Sequence, residues 1–215
     1  MPSSPPFLPP EGFAFLPGHL DGAAQERLAA LVRAHLEAAP LFQPVMPGSG
    51  RPFSVRMSNF GPLGWVSDRA GYRYEPCHPV TGRPWPPLPE ALRALWGELT
   101  GLAEPPECGL VNVYGPGARM GLHQDRDEAA LDCPVVSVSL GDGALFRIGG
   151  PRRRDPTRSL RLASGDVVVL GGAARLAFHG IDRVYAVSCR LLPGLGRVNL
   201  TLRRVTPLAR PLRGR

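Results

Sequence analysis

Lysine is absent from this chain. All 25 of its basic residues are arginine, and against 18 acidic residues they leave a formal net charge of +7. Missing lysine is no functional signal by itself, because genomic base composition can impose it. The surplus is nevertheless made of guanidiniums, which stay protonated and present a planar fork to carboxylates and phosphates. A basic surface of this kind favours phosphate backbones through counterion release, and Arg152-Arg153-Arg154 and the Arg210, Arg213, Arg215 tail carry it most densely. Cysteine is scarce. Cys77, Cys108, Cys133 and Cys189 are scattered and form no C-x-x-C pair. That excludes a disulfide framework, argues against a zinc ribbon and fits a reducing, cytoplasmic setting. Long apolar runs are missing too: Val167 to Leu170 stops at Gly171-Gly172, so no segment is long enough to span a bilayer. The opening Met1-Pro2-Ser3-Ser4-Pro5-Pro6 has neither the basic stretch nor the apolar run of a secretory leader, and none is expected.

What remains is 215 residues with ordinary hydrophobic content, enough for one domain with a real core. Residues 1–12 are Pro-rich and extended in character. A helix is expected from an N-cap at Asp21 to Ala39, with Leu28, Leu31, Val32 and Leu36 on one stripe and Pro40 beyond it. A second fits Pro89 to Leu99, facing inward with Leu92, Leu95, Trp96 and Leu99 and stopping at Gly101. Residues 41–85 break into short extended pieces rich in Gly, Pro and aromatics. From Leu110 the signal is β: Leu110–Tyr114, Val135–Leu140, Leu145–Ile148, Ser159–Leu162, Asp166–Leu170, Leu176–His179 and Val198–Val205, punctuated by Gly, Pro and Asp. Many short strands with turns between them predict a sandwich or barrel. The reading is a mainly β chain with flanking helices, a jelly roll over about 110–206 and a mixed layer packed on it. Residues 13–206 form one domain and 207–215 a basic tail.

His123-Gln124-Asp125 and His179 carry the chemistry. A His and an Asp two apart on an extended strand share a face, and a second His from a later strand completes two imidazoles and one carboxylate. That set holds one face of an octahedral metal and leaves the other open, the ligand pattern of non-haem Fe(II) oxygenases. A lone H-x-D also arises as an ordinary satisfied polar stretch. The run Arg197-Val198-Asn199-Leu200-Thr201-Leu202-Arg203 separates the two readings. Alternation puts Arg197, Asn199, Thr201 and Arg203 on one face and the aliphatics on the other. Two inward guanidiniums need an anionic partner, and a dicarboxylate such as 2-oxoglutarate supplies two anionic ends. An edge strand with its polar face in water is the bland alternative.

Taken together, Asn112-Val113-Tyr114-Gly115-Pro116-Gly117, Leu122-His123-Gln124-Asp125-Arg126-Asp127-Glu128, Val135 to Gly141, Gly165 to Val169, His179-Gly180-Ile181 and the Arg197, Asn199, Arg203 strand resemble the AlkB family of Fe(II)/2-oxoglutarate-dependent dioxygenases. Met57-Ser58-Asn59, Gly64-Trp65 and Gly71-Tyr72-Arg73-Tyr74 resemble the nucleotide-recognition lid of its bacterial DNA-repair members, over about 41–85. The resemblance implies a double-stranded β-helix core and Fe(II) held by His123, Asp125 and His179. It implies 2-oxoglutarate held by Arg197, Arg203, Asn199, Asn112, Val113 and Tyr114, with O2 as co-substrate. It implies oxidative demethylation of N-alkylated bases such as 1-methyladenine and 3-methylcytosine in DNA or RNA, single- or double-stranded, by a monomer. Methyl hydroxylation, coupled to decarboxylation of the co-substrate, releases formaldehyde. Such a base must leave its stack. Trp65, opposed by His123, would be its platform, Asp127 its carboxylate reader, and Tyr72, Arg73, Tyr74 and Arg153 contacts to the strand. The chain departs at Leu170, where an aromatic residue is expected. Three other readings stay open on the sequence: an oxygenase acting on a protein or small molecule, a β-barrel binding module with a structural metal, and an Arg-rich DNA-binding protein without catalysis.

Overall fold

The structure, a computed structural model, describes residues 10–208. Most of the Pro-rich segment 1–12 and the Arg210, Arg213 and Arg215 tail lie outside the described residues. In chain order the elements are β1 (Phe13–Leu16), α1 (Gly22–Ala38), β2 (Val55–Phe60), β3 (Gly64–Asp68), β4 (Gly71–Glu75), α2 (Glu90–Thr100), β5 (Cys108–Tyr114), β6 (Met120–His123), β7 (Val135–Gly141), β8 (Gly143–Ile148), β9 (Arg158–Leu162), β10 (Val167–Leu170), a 3-10 turn (Gly172–Leu176), β11 (His179–Tyr185) and β12 (Arg197–Arg203). Six strands form a major sheet in the order β1-β10-β7-β12-β5-β2, four form a minor sheet in the order β6-β11-β8-β9, and β3 and β4 make a separate hairpin.

The inner faces of both sheets share one apolar cluster. Met57, Leu110, Val135 and Val168 come from the major sheet, and Phe146, Ile148, Leu162 and Ile181 from the minor. Two antiparallel sheets closed face to face are the jelly roll expected from the strand count. The outer face of the major sheet carries Val111, Val113, Val136, Val138, Leu200 and Leu202, which bury against Leu28, Ala29 and Val32 of α1 and Leu92, Leu95 and Trp96 of α2. The helices therefore back the sheet and leave the inter-sheet space for a site.

The Asp21 carboxylate caps α1 by accepting from the Ala24 N–H at 2.7 Å, and Gly101 ends α2 at φ 68°, both as the sequence predicts. The buried stripe of α1 is rotated from expectation: Leu28, Ala29, Val32 and His35 are buried, whereas Leu31 is exposed. The strand expected at Leu176–His179 is also displaced. Those residues finish the 3-10 turn, and β11 begins only at His179. β1 was not anticipated, and β6, expected only as the extended stretch carrying His123 and Asp125, stops at His123. β1 is a four-residue edge and β6 is four residues long with Gly121 inside it, so neither offers a long alternating pattern.

One close approach between the hairpin and the body requires glycine. A Cβ on Gly64 would lie 2.4 Å from the Trp85 ring, so only glycine allows the indole to pack there. Behind β2, the Ser58 hydroxyl donates to the Ala39 carbonyl at 2.8 Å. His35 Nε2, also 2.8 Å from Ser58 Oγ, must therefore donate to it. Its Nδ1 is left as a buried acceptor with no partner.

Burial, with His78 nearby, lowers the His35 pKa to about 4. The folded-state value lies below the unfolded one, so this stabilisation is complete above about pH 6.5 and is lost as pH falls towards 4. The full loss is about 3 kcal/mol. We predict that urea unfolding of the wild type weakens between pH 7 and pH 4.5 by more than that of His35→Gln, which keeps a donor for Ser58. Equal weakening in both would remove His35 as the acid-sensitive group.

Candidate iron and 2-oxoglutarate site

Antiparallel pairing of β6 with β11 sets His123 directly opposite His179, and the two imidazole centroids are 4.5 Å apart. Asp125 enters from the turn that follows β6, not from the strand itself, which differs from the strand placement expected for the H-x-D pair. The turn is held by Gln124, whose side chain points the other way and donates to the Leu176 and Pro151 carbonyls at 2.6 and 3.1 Å. His123 Nε2 lies 3.7 Å from Asp125 Oδ1, and His179 Nε2 lies 3.7 Å from Asp125 Oδ2. One ligand atom from each of the three lies within 4.8 Å of the others.

Both histidines use the same local device. His123 Nδ1 bonds the Gly121 carbonyl at 3.0 Å, and His179 Nδ1 bonds the Ala177 carbonyl at 2.9 Å. Because a carbonyl only accepts, each Nδ1 carries the proton and each Nε2 presents its lone pair to the common centre. Burial, helped by the neighbouring His123, lowers the His179 pKa to about 4, which keeps this imidazole neutral. Burial opposes ionisation of Asp125, but Arg203 and the two imidazoles hold its carboxyl below the ordinary carboxylate range. The set is two imidazole nitrogens and one carboxylate, the donor set of a non-haem iron centre with an open face.

These residues sit in an inter-sheet cavity of about 520 Å³. Arg197, Asn199, Thr201 and Arg203 of β12 line it together with Asn112 and Tyr114 of β5, as alternation predicts. Val113 does not: its side chain packs in the outer cluster beneath the helices, because neighbouring strand residues face opposite ways. Val113 therefore offers the cavity no side chain, and the side chains of that run that reach it are those of its two ends.

Arg197 is fully buried, donating to Ser139 Oγ at 3.0 Å and the Asp142 carbonyl at 3.3 Å. Burial lowers its pKa to about 10, still far above neutrality. Arg203 donates to Asp125 Oδ1 at 2.8 Å. Asn199 is held by Ser137 Oγ and the Val138 carbonyl. Burial raises the Tyr114 pKa to about 12, so its hydroxyl stays protonated.

Among the described residues, Asn112 Oδ1, Arg197 Nε and Arg203 Nε are buried polar atoms without a partner, and all three residues line this cavity. The orphaned Arg197 N–H and the Arg203 guanidinium, whose Nε lies 3.5 Å from Glu128 Oε1, bring two cations to the cavity wall for the two ends of a dicarboxylate, and the Asn112 amide can rotate to offer its NH2. The cradle therefore fits 2-oxoglutarate.

At the cavity mouth, Trp65 is almost buried and its indole N–H donates to Asp127 Oδ2 at 2.9 Å. Tyr72 stacks on Trp65 with centroids 5.5 Å apart and 24° between planes, and Tyr72 is the more exposed ring. Arg153 lines the mouth, donates to the Leu122 carbonyl at 2.9 Å and lies 5.7 Å over the Phe178 ring.

Two expected contacts point elsewhere. Arg73 is exposed and paired with Asp68 and Glu75 on the hairpin's own surface. Tyr74 turns inward, and its hydroxyl donates to Glu128. Neither lines the cavity: alternation along β4 turns Arg73 to the face opposite Tyr72, while Tyr74, on the same face as Tyr72, is engaged by Glu128 instead. Leu170, where an aromatic was expected, is a buried part of the cavity wall.

Sequence reading missed Glu128 and Arg175. Glu128, given no role on the sequence, has its carboxylate buried 2.9 Å from Arg175. Arg175 sits in the 3-10 turn four residues before His179, and an arginine inside an otherwise apolar Ala-rich stretch was the available signal.

The site and the sheet order define a metal- and 2-oxoglutarate-dependent oxygenase on a jelly roll, and the 2OG-Fe(II) oxygenase superfamily model matches residues 12–203. The alpha-ketoglutarate-dependent dioxygenase AlkB homolog of Caulobacter vibrioides is 58% identical over 193 residues, 90% of this chain and 87% of the relative. The alpha-ketoglutarate-dependent dioxygenase AlkB of Escherichia coli is 42% identical over 84% of this chain and 85% of its own length. The solved structure of OsALKBH1 superposes with a TM-score of 0.73 at 28% identity, covering 92% of this chain and 98% of that one. The chain belongs to the AlkB family and is an Fe(II)/2-oxoglutarate-dependent dioxygenase.

Bound Fe(II), with 2-oxoglutarate and O2, supplies C–H hydroxylation coupled to oxidative decarboxylation of the co-substrate. This chain's residues set where that happens. The two Nδ1–carbonyl bonds aim the imidazoles, Arg203 positions Asp125, and His123 is the ligand nearest the open mouth, its side chain 39% exposed against 11% for His179.

Gly180 holds β11 against β6, since a Cβ there would lie 2.5 Å from the Met120 carbonyl oxygen and 2.8 Å from that of Gly121. We predict that His123→Ala, Asp125→Ala and His179→Ala each abolish turnover and weaken Fe(II) binding while far-UV circular dichroism stays unchanged. Gly180→Ala should also weaken Fe(II) binding, by spreading the two histidines apart. Normal metal affinity in His179→Ala would sink the triad. Arg203→Ala should raise the 2-oxoglutarate requirement steeply in a co-substrate titration, because truncating one member of a buried charge pair costs ~2–5 kcal/mol.

Proposed function

We propose that this dioxygenase removes N-methyl groups from damaged bases, 1-methyladenine and 3-methylcytosine above all. Its substrate is DNA, single- or double-stranded, and RNA as well, and it works as a cytoplasmic monomer. The observation that carries the reading is the mouth of the cavity. A carboxylate, Asp127, and a stacked aromatic pair, Trp65 and Tyr72, line the same cavity as His123. An unstacked base offers a flat π face to the rings and an exocyclic amine to the carboxylate. A positively charged adduct gains further from Asp127. Around the mouth, Arg153 and Arg126 supply positive charge for a phosphate backbone. A protein or small-molecule substrate would have less use for such a combination.

The direct test mixes the protein with Fe(II), 2-oxoglutarate, ascorbate and a methylated oligonucleotide. Formaldehyde and repaired base are the expected products. Decarboxylation of 2-oxoglutarate without base repair, with affinity for oligonucleotide that ignores added salt, would favour a peptide or metabolite substrate instead.

Lesion choice gives a finer prediction. Asp127→Asn keeps an oxygen for the Trp65 N–H but removes the charge. It should lower kcat/KM on 1-methyladenine and 3-methylcytosine more than on neutral 1-methylguanine in the same oligonucleotide. An equal loss on both would mean that Asp127 serves to fix Trp65, not to read the base.

A further inference from the structure

The recognition hairpin and the metal site are joined by one chain of buried polar contacts. Tyr74, on the hairpin, donates its hydroxyl to Glu128 Oε1. The same oxygen lies 3.5 Å from Arg203 Nε, while Glu128 Oε2 lies 2.9 Å from the Arg175 guanidinium. Arg203 in turn donates to Asp125 Oδ1 at 2.8 Å. Arg175 closes the loop by donating to the main-chain carbonyls of Asp125 and Cys133. The side chains of Glu128, Arg175, Asp125 and Arg203 are between 1% and 7% exposed. Two carboxylates and two guanidiniums balance in charge, so each group's position depends on the others in a medium that screens poorly.

Arg203 is the shared member. One nitrogen is committed to Asp125, while Nε faces Glu128 without a satisfied hydrogen bond. Anything that changes how strongly Glu128 draws on Arg203 changes how fully Asp125 is neutralised, and hence how strong a donor it is. It also changes how well Arg203 can meet a carboxylate of 2-oxoglutarate. The Tyr74 hydroxyl is such a control, because it takes up one lobe of the very oxygen that faces Arg203.

We propose that Tyr74, Glu128 and Arg175 are positioning residues that couple the placement of the recognition hairpin to the geometry of Asp125 and to co-substrate binding, with Arg203 as the link. The proposal rests on reading His123, Asp125 and His179 as the iron site. Coupling of this kind is reciprocal: an oligonucleotide that seats the hairpin tightens 2-oxoglutarate binding, and 2-oxoglutarate tightens oligonucleotide binding by the same factor.

The test uses the full-length protein loaded with Co(II), whose visible absorption reports on ligand geometry without turnover. Wild type, Tyr74→Phe, Glu128→Gln and Ser67→Ala are compared with and without 2-oxoglutarate, and no nucleic acid is added. Ser67→Ala is the control, because it removes a hydroxyl from the same hairpin that bonds the Val45 carbonyl and nothing in the network.

Tyr74→Phe and Glu128→Gln should each shift the cobalt bands and weaken 2-oxoglutarate about three- to ten-fold, the range for coupling carried through a packed network. Ser67→Ala should do neither. Adding oligonucleotide should then tighten 2-oxoglutarate in the wild type and not in Tyr74→Phe. Unchanged bands and 2-oxoglutarate affinity in both network variants would overturn the coupling. A wild type whose cobalt spectrum ignores 2-oxoglutarate would overturn the site assignment beneath it. Should Tyr74→Phe fail to fold, Glu128→Gln decides alone.

Discussion

An ionised carboxylate and a guanidinium held in contact inside a β-sandwich are the constraint around which this molecule is organised. Asp125 and Arg203 meet at 2.8 Å with almost no solvent exposure. Burying such a pair gains little net stability, since desolvation of both ions offsets their attraction. Its presence makes functional sense because Asp125 must stay ionised in a dry cavity to bind a cation. Arg203 must stay charged to meet an anion. Arg175, Glu128 and Tyr74 then follow as the partners that two buried ions require.

Strand β12 connects this interior to the scaffold. Its inward residues, Arg197, Asn199, Thr201 and Arg203, line the cavity, while Val198, Leu200 and Leu202 anchor the helices outside. One strand therefore carries the co-substrate end of the site and a central layer of the core. A slip by one residue would bury guanidiniums beneath α1 and α2 and turn the aliphatics to the iron. Apolar packing on the outer face thus holds in register a polar arrangement that could not hold itself.

The hairpin β3–β4 belongs to neither sheet and reaches the site through two kinds of contact. Trp65 and Tyr72 stand at the mouth, joined to Asp127, whereas Tyr74 goes to the buried charges. In the proposed reading, substrate recognition and metal geometry are served by neighbouring residues of one short strand pair. Leu170 in the cavity wall gives a branched aliphatic surface where an aromatic ring was anticipated.

The sequence by itself determined the sidedness of the strands, the ligand types and the backing helices, because these depend on local periodicity and on residue chemistry. Alternation in 197–203, the H-x-D spacing and the caps at Asp21 and Gly101 were all legible at short range. Tertiary structure alone decided what depends on distant partners. The pairing of β6 with β11 sets His123 beside His179, and no local pattern encodes a register between strands so far apart in the chain. The burial of Glu128, and its contacts with Tyr74, Arg175 and Arg203, had no local signal, since a charge is stable in the interior only when another element supplies its partner. Val113 and Arg73 neighbour cavity-lining residues in sequence, and strand geometry turns their side chains to the outer cluster and to the hairpin's own surface.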